Sequence, residues 1–431
     1  MSPPLLRGFA VCPSGLEAVL AAELAAMKGF RDIAAGRAGV RFSASPEAVA
    51  RANIWARSPT RILIEAGRGP LRHAQDVRHV STRIAWEKWF HHRQTIRVDL
   101  AVAREPRLPE PLARNFATLL VKDGICDRFR ATHQERPSVD TTHPDIRIWA
   151  FIDQNELTVY LDTSGEPLFK RGWRQAKGEA PLRENLAAAL IAMTAWDRKT
   201  PLMDPFCGSG TFLIEAMQMA LGLPPGYLPA APRSFAAERF HVQSPMGSVN
   251  WKALRTEADE VFQRVSRALG PNGTSAASWV PAMQGSDRDP AMTRLAQTNA
   301  DRALPDGAAR AIRWVSTSVE QLRPIAPAGI LLGNPPYGVR LEKPDAIPSS
   351  AQGADASTVS FERGLATALK QHFSGWQIWL LTDDLRLEQS MRLKAARRIP
   401  VFNGDIECRW MRFDMVAGSM RDTDNRQKAD A

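Results

Sequence analysis

The chain has 431 residues, 44% of them hydrophobic and 24% charged, with 56 Lys+Arg against 46 Asp+Glu for a net charge of +10. That composition excludes a fibrous or wholly disordered chain and leaves length for two or three domains with their own cores. Cys12, Cys126, Cys207 and Cys408 are widely spaced with no C-x-x-C, which argues against zinc and a disulfide framework, and no apolar run nears 18 residues. With no signal-peptide pattern, the expectation is a cytoplasmic protein without metal or membrane span.

In chain order, residues 1–45 hold an apolar helical pattern, Leu16 to Met27, between two strands. Residues 46–160 read as a second module ending in the strands Ile146 to Ile152 and Leu157 to Leu161. Within it, Trp86 and Trp89 read as a helix packing face. The pair His91-His92 is expected at the surface, on opposite faces of an extended segment or on a helix turn. From 161 to 420 the pattern alternates strand and helix. Strands are expected at Thr200 to Met203, Met283 to Asp287, Ile312 to Val315, Gly329 to Gly333, Trp376 to Leu381 and Glu407 to Met415. The last follows the turn signal Asn403-Gly404-Asp405. A Pro/Gly-rich stretch, Gly222 to Ser248, and a helix, Trp251 to Leu269, are inserted after the first helix of this region. The tail from Arg421 is polar and reads as disordered.

Chemistry concentrates at two strand ends. The first strand runs into Asp204-Pro205-Phe206-Cys207-Gly208-Ser209-Gly210-Thr211, and Phe212 to Leu221 is rich in helix formers. Strand, Gly-rich turn and helix form the opening unit of a doubly wound sheet, whose ligands sit at the carboxyl ends of its strands. Glycines let the backbone approach a ligand closely. A P-loop needs Gly-Lys-Ser/Thr, and here Thr211 follows Gly210 directly, so triphosphate is not expected. Asp204 repels pyrophosphate but attracts the ammonium of a methionine moiety, so the turn suits S-adenosylmethionine (SAM). Asp287 ends the next strand, where an acidic residue binds ribose hydroxyls. Asp289-Pro290 then opens a helix with N-cap chemistry.

The second strand end is Asn334-Pro335-Pro336-Tyr337. The exocyclic amine of a nucleobase is a poor nucleophile because its lone pair is delocalised into the ring. The Asn334 side-chain oxygen and the Pro335 carbonyl suit its two N–H groups and favour a pyramidal nitrogen. Pro335 and Pro336 stiffen the loop, keeping these dipoles aimed. Tyr337 offers a stacking face worth about 1–3 kcal/mol per base. On this reading Asn334 to Tyr337 accept the methyl-receiving base. The residues alone leave guanine, adenine and cytosine open.

The positive charge is uneven. Residues 1–180 carry 27 basic against 20 acidic side chains and the remainder 29 against 26. Arg51, Arg57, Arg61, Arg68, Arg72, Arg78 and Arg83 recur with few carboxylates beside them in sequence, a pattern expected of a surface that grips a phosphate backbone.

The chain resembles the bacterial THUMP-domain RNA methyltransferases that methylate guanine N2 of 23S rRNA. The motifs that carry the resemblance are Phe9 to Glu17, Val121 to Phe129, Arg136 to Asp140, Pro144 to Arg147, Phe169 to Arg174 and Ala180 to Ala188, with the two strand-end motifs. The resemblance implies an α/β chain: an α+β ferredoxin-like module (1–45), a THUMP RNA-binding domain (46–160), and a SAM-dependent domain (161–420) with a Rossmann-like, mostly parallel seven-stranded sheet carrying one antiparallel strand. It implies that Asp204, Phe206, Gly208, Gly210, Thr211 and Asp287 hold SAM, with Asn334 bordering it. Ser318 aligns where the family has an acidic residue against adenine; Glu320 or a backbone group would then take that contact. It implies 23S rRNA as partner, with tRNA guanine or adenine N6 as alternatives, and a monomer without metal. Lys343 to Thr358 is expected to be mobile until RNA binds. Some relatives carry a second methyltransferase domain after the first, which is not expected in this chain.

Overall fold

A computed structural model describes residues 5–103, 112–174, 182–270, 280–335 and 356–416. The chain divides into two compact units, residues 1–171 with 224–259, and 172–223 with 260–431.

The first unit runs β1 (Leu6–Val11), α1 (Glu17–Ala25), β2 (Phe30–Gly36), β3 (Gly39–Ala44), α2 (Pro46–Trp55), β4 (Arg61–Pro70), α3 (Ala74–Arg83), β5 (Ile96–Val102), α4 (Arg114–His133), β6 (Ile146–Asp153) and β7 (Glu156–Asp162). Its strands form one sheet in the order β2-β3-β1-β4-β7-β6-β5. The seam is β4, which pairs antiparallel with β1 on one side and β7 on the other. Ser45 is the N-cap of α2, and its hydroxyl accepts from Ala48 N at 3.2 Å.

A buried polar network fixes this unit. Asn53 Nδ2 donates to Val49 O and Thr163 Oγ1, both at 3.0 Å, and Ser164 Oγ donates to Asn53 Oδ1 at 2.6 Å. Ile62 N donates to Ser164 Oγ, and Arg61 pairs with the buried Asp162. The inserted stretch 224–259 is latched onto the same unit. Arg51 holds Glu257 with two bonds of 2.6 and 2.7 Å, Gly226 N donates to Ile54 O, and Arg233 donates to the carbonyls of Glu166, Pro167 and Lys170. A Cβ at Gly226 would lie 2.6 Å from Asn53 O, so only glycine lets the insertion sit this close.

Two expectations are corrected here. Trp86 and Trp89 do pack, Trp86 fully buried against Phe90 and Trp89 edge-on to Phe240, but on no α-helix: Trp86 lies in a single 3-10 turn, Trp86 to Lys88, after α3 has ended, and donates its indole N–H to Ser81 O at 2.7 Å. The rings of His91 and His92 lie 4.0 Å apart instead of on opposite faces, because His92 tucks against His133 at the end of α4.

The second unit contains α5 (Glu184–Met193), β8 (Leu202–Asp204), α6 (Thr211–Leu221), the C-terminal part of α7 (Trp251–Leu269), β9 (Met283–Asp287), α8 (Pro290–Ala303), α9 (Asp306–Ala311), β10 (Ile312–Ser316), β11 (Gly329–Gly333), α10 (Ala356–His372), β12 (Trp376–Thr382), α11 (Leu387–Met391), β13 (Arg397–Asn403) and β14 (Ile406–Asp414). The sheet order is β10-β9-β8-β11-β12-β14-β13, and β14 runs antiparallel to both of its neighbours. This is the expected α/β fold, with the expected reversed strand in the hairpin after Gly404, whose φ of 68° needs no side-chain accommodation. Strand order reverses between β8 and β11. Their carboxyl ends are therefore the switch point where such folds place ligands.

Candidate active site

The Gly-rich turn leaves β8 at Asp204 and enters α6 at Thr211. It is held from all sides. Phe206 N donates to Asp204 Oδ1 at 3.0 Å, Cys207 N to Ser286 O at 2.9 Å, and Gly210 N to Cys207 O at 2.7 Å. Gly208 N donates to Asp287 Oδ2 at 3.1 Å, and Asn299 Nδ2 on α8 donates to Ser209 O at 3.0 Å. Gly210 caps α6 with φ of 85°, and a Cβ there would meet the Trp314 ring at 2.9 Å. A Cβ at Gly285 would meet the same ring at 2.4 Å, so the turn, β9 and Trp314 close on one another with no spare methyl.

Electrostatics single out Asp204. Its carboxyl is buried, and burial, with a smaller contribution from Asp287, pushes it up to about 8 against the pull of the Phe206 N–H. Among the described residues it forms no ion pair. A buried acid with no cation beside it is costly unless a ligand supplies the charge. Asp287 uses Oδ2 on Gly208 and Oδ1 on Asp289 N at 3.0 Å, and each oxygen keeps a lone pair. The Cys207 thiol is buried and pushed well up, which leaves it as packing and not as a nucleophile.

The acceptor strand lies beside this turn. β11 pairs parallel with β8, Ile330 opposite Leu202 and Leu331 opposite Met203. Gly333 ends β11 against Phe206: a Cβ there would be 3.0 Å from the Phe206 ring, which also faces Phe361 of α10 at 5.7 Å. Half-buried Asn334 and buried Pro335 follow directly. Asp204, Phe206, Gly208, Gly210, Thr211, Asp287, Asn334 and Pro335 thus all lie at or just beyond the carboxyl ends of the neighbouring strands β9, β8 and β11. Pro336 and Tyr337 lie outside the described residues, as does most of Lys343 to Thr358, whose last three residues begin α10.

Ser318 begins a 3-10 turn after β10, and Thr317 N ties that loop to Asp287 O at 3.0 Å. Glu320 packs on α10, its Oε1 3.1 Å from where a Gly364 Cβ would stand. The sequence reading missed Asn299 and Arg174. Asn299 interrupts the buried alanine face of α8 (Ala296, Ala300, Ala303), and a polar residue on such a face was the available signal. Arg174 Nη2 donates to Thr211 Oγ1 at 2.7 Å and Arg174 Nε to Glu184 Oε1 at 2.9 Å.

The expected Arg surface is largely paired. Arg51 meets Glu257, Arg61 meets Asp162, Arg68 meets Glu65, and Arg78 meets Asp127 at 2.6 Å. Arg72 and Arg83 are exposed and have no ion-pair partner among the described residues. Apart from Glu65, three residues from Arg68, these carboxylates are distant in sequence and adjacent in the fold. Among the described residues no group of three or more His, Cys, Asp or Glu is placed to hold a metal, and no helix is long and apolar enough to cross a membrane.

A reversed-strand doubly wound sheet with a Gly-rich turn and an Asn-Pro strand end at its switch point defines a methyltransferase-type domain. The chain belongs to the family described as RMKL-like, methyltransferase domain, which matches residues 171–412. A THUMP domain matches residues 72–162 and an RlmL ferredoxin-like domain residues 8–63. The chain is 31% identical over 407 residues to a "Putative RNA methyltransferase slr0064" of Synechocystis sp., covering 94% of this chain and 96% of that one. It is 32% identical over 416 residues to a "Ribosomal RNA large subunit methyltransferase K/L" of Shewanella frigidimarina, covering 96% of this chain but 53% of that protein's length. Among solved structures, the putative methyltransferase SMU.472, complexed with SAH, superposes with a TM-score of 0.77 at 24% identity over 96% of this chain and all of that one.

Proposed function

We propose that the chain transfers a methyl group from SAM to the exocyclic N2 amine of a guanine in 23S rRNA. The observation that carries this reading is that Asp204 and Asn334 follow the paired strands β8 and β11, with the Phe206 ring against Gly333 at the end of β11. The buried, unpaired Asp204 carboxyl fits the cationic methionine end of SAM, and Asp287 has acceptors left for ribose. SAM supplies an electrophilic methyl group on a sulfonium.

The chain's own residues do the rest. The turn presents Asp204 to the ligand ammonium. Asn334 Oδ1 and the Pro335 carbonyl accept the two amine N–H bonds, turning the nitrogen lone pair out of conjugation and toward the methyl. Pro335 has no torsional freedom in φ, so this geometry exists before the base arrives. Orientation supplies most of the acceleration. The base must leave its stack, at a cost of a few kcal/mol that is least in loops.

RNA is favoured as substrate by the THUMP match, and large-subunit rRNA by the name of the Shewanella frigidimarina relative; the choice of guanine rests on the sequence resemblance alone. The division of labour proposed is RNA capture by residues 1–160 and chemistry by 161–420, with residues 224–259 serving the first group. Incubation with radiolabelled SAM and separate pools of 23S rRNA and tRNA tests the substrate class. Label is expected in 23S rRNA; label in tRNA alone would replace the reading with its tRNA alternative.

A further inference from the structure

Among the buried donors that the proposed site leaves unused, Arg174 Nη1 is the one that carries a charge. Arg174 has 12% of its side chain exposed. Glu184 takes Nε at 2.9 Å, and Nη2 donates to Leu182 O at 3.1 Å and Thr211 Oγ1 at 2.7 Å. Nη1 is buried and has no hydrogen-bond partner among the described residues. Leaving a buried charged donor unpaired costs about 1–3 kcal/mol or more, so such groups are expected to meet an acceptor in the working state.

The position of this donor identifies the acceptor. Thr211 is both the last residue of the Gly-rich turn and the first of α6, an 11-residue helix whose opening N–H groups lack intrahelical acceptors and carry positive partial charge. Arg174 therefore adds a fixed guanidinium to a helix start that already favours anions. Asp204 stands at the other end of the same turn. One end of the eight-residue turn carries a carboxyl that a ligand cation would ionise and the other a guanidinium with a donor to spare, the complement of a zwitterionic amino-acid ligand. Glu184 and Thr211 hold the guanidinium in place, and the Trp173 ring lies 5.2 Å from its centre.

We infer that Arg174, through Nη1, binds the α-carboxylate of the methionine moiety of SAM, while Asp204 takes its α-ammonium. This rests on the SAM reading, and the test separates the two. Binding of SAM and of decarboxylated SAM, which keeps the ammonium and lacks the carboxylate, is measured by calorimetry for wild type and Arg174→Met. Wild type binds SAM more tightly than the decarboxylated form. The substitution weakens SAM roughly 10- to 100-fold, the range of one charge-assisted bond, and leaves the decarboxylated form within about twofold. Equal losses for both ligands would make Arg174 a support of the fold around Thr211 and overturn the assignment. Unchanged SAM affinity would overturn it too. Failure of wild type to bind either ligand would remove the SAM reading and this assignment with it. If Arg174→Met does not fold, Arg174→Lys carries the same comparison: the wild-type preference for SAM over the decarboxylated form must shrink.

Discussion

The Asp287 carboxylate accepts the backbone N–H of Gly208 at 3.1 Å, joining the end of the second sheet strand of the catalytic unit to the middle of the Gly-rich turn. Asp287 is thus part of the turn's support as well as a candidate for the ribose. Asp287→Ala removes both, and SAM affinity measured by calorimetry is expected to fall at least tenfold. Asp287→Asn keeps one acceptor oxygen and is expected to lose less.

Asp204 gives a pH signature. In the free protein its carboxyl is pushed up to about 8 by burial, from an unfolded value of 3.8. A raised carboxyl stabilises the fold fully at low pH, and that contribution is lost as pH rises from about 4 through 8. Free Asp204→Asn is therefore expected to melt above the wild type at pH 8, with the gap closing toward pH 5 in a thermal-melt series. The same substitution removes the ligand's counter-charge, so SAM binding is expected to weaken. In wild type, SAM binding is expected to release a proton and to tighten as pH rises from 6 to 8. Equal melting points across the range would remove Asp204 as the unpaired acid.

Asn334→Ala separates chemistry from cofactor binding. With Oδ1 gone, one of the two amine acceptors is lost, and kcat is expected to fall by about 100-fold or more, the cost of one preorganised dipole. SAM affinity is expected to change less than threefold. A large loss of SAM affinity with kcat preserved would move Asn334 out of the acceptor site.

The first unit is pinned by Asn53. Its amide is bonded to Val49 O, Thr163 Oγ1 and Ser164 Oγ, all buried. Asn53→Ala removes one of the two partners of each of these buried hydroxyls, and urea unfolding is expected to show a loss of about 1–3 kcal/mol. The half-buried pair Arg51–Glu257 is expected to contribute about 1 kcal/mol.

Much of the catalytic unit was legible because its signals are local. Apolar runs end in Asp204, Asp287 and Gly333, and Asp289-Pro290 caps its helix as read, Asp289 Oδ1 accepting from Ala291 N at 2.8 Å. What was not legible is non-local. The pairing of β4 with β7 joins segments about a hundred residues apart into one sheet, which no local period reports. The Arg-rich stretch looked unpaired because Glu257, Asp162 and Asp127 arrive from elsewhere in the chain. The insertion 224–259 lies in sequence inside the catalytic region yet bonds to α2 and to the segment after β7. For that reason removing residues 1–160 would strip this insertion of its partners, and point substitutions are the cleaner probe.

The central claim is methylation of guanine N2 in 23S rRNA. Its most direct test is incubation of the protein with methyl-labelled SAM and unmodified 23S rRNA, then digestion to nucleosides and chromatographic identification of the label. N2-methylguanosine is expected, lost with Asn334→Ala. Label in N6-methyladenosine, or in any other nucleoside, would contradict it.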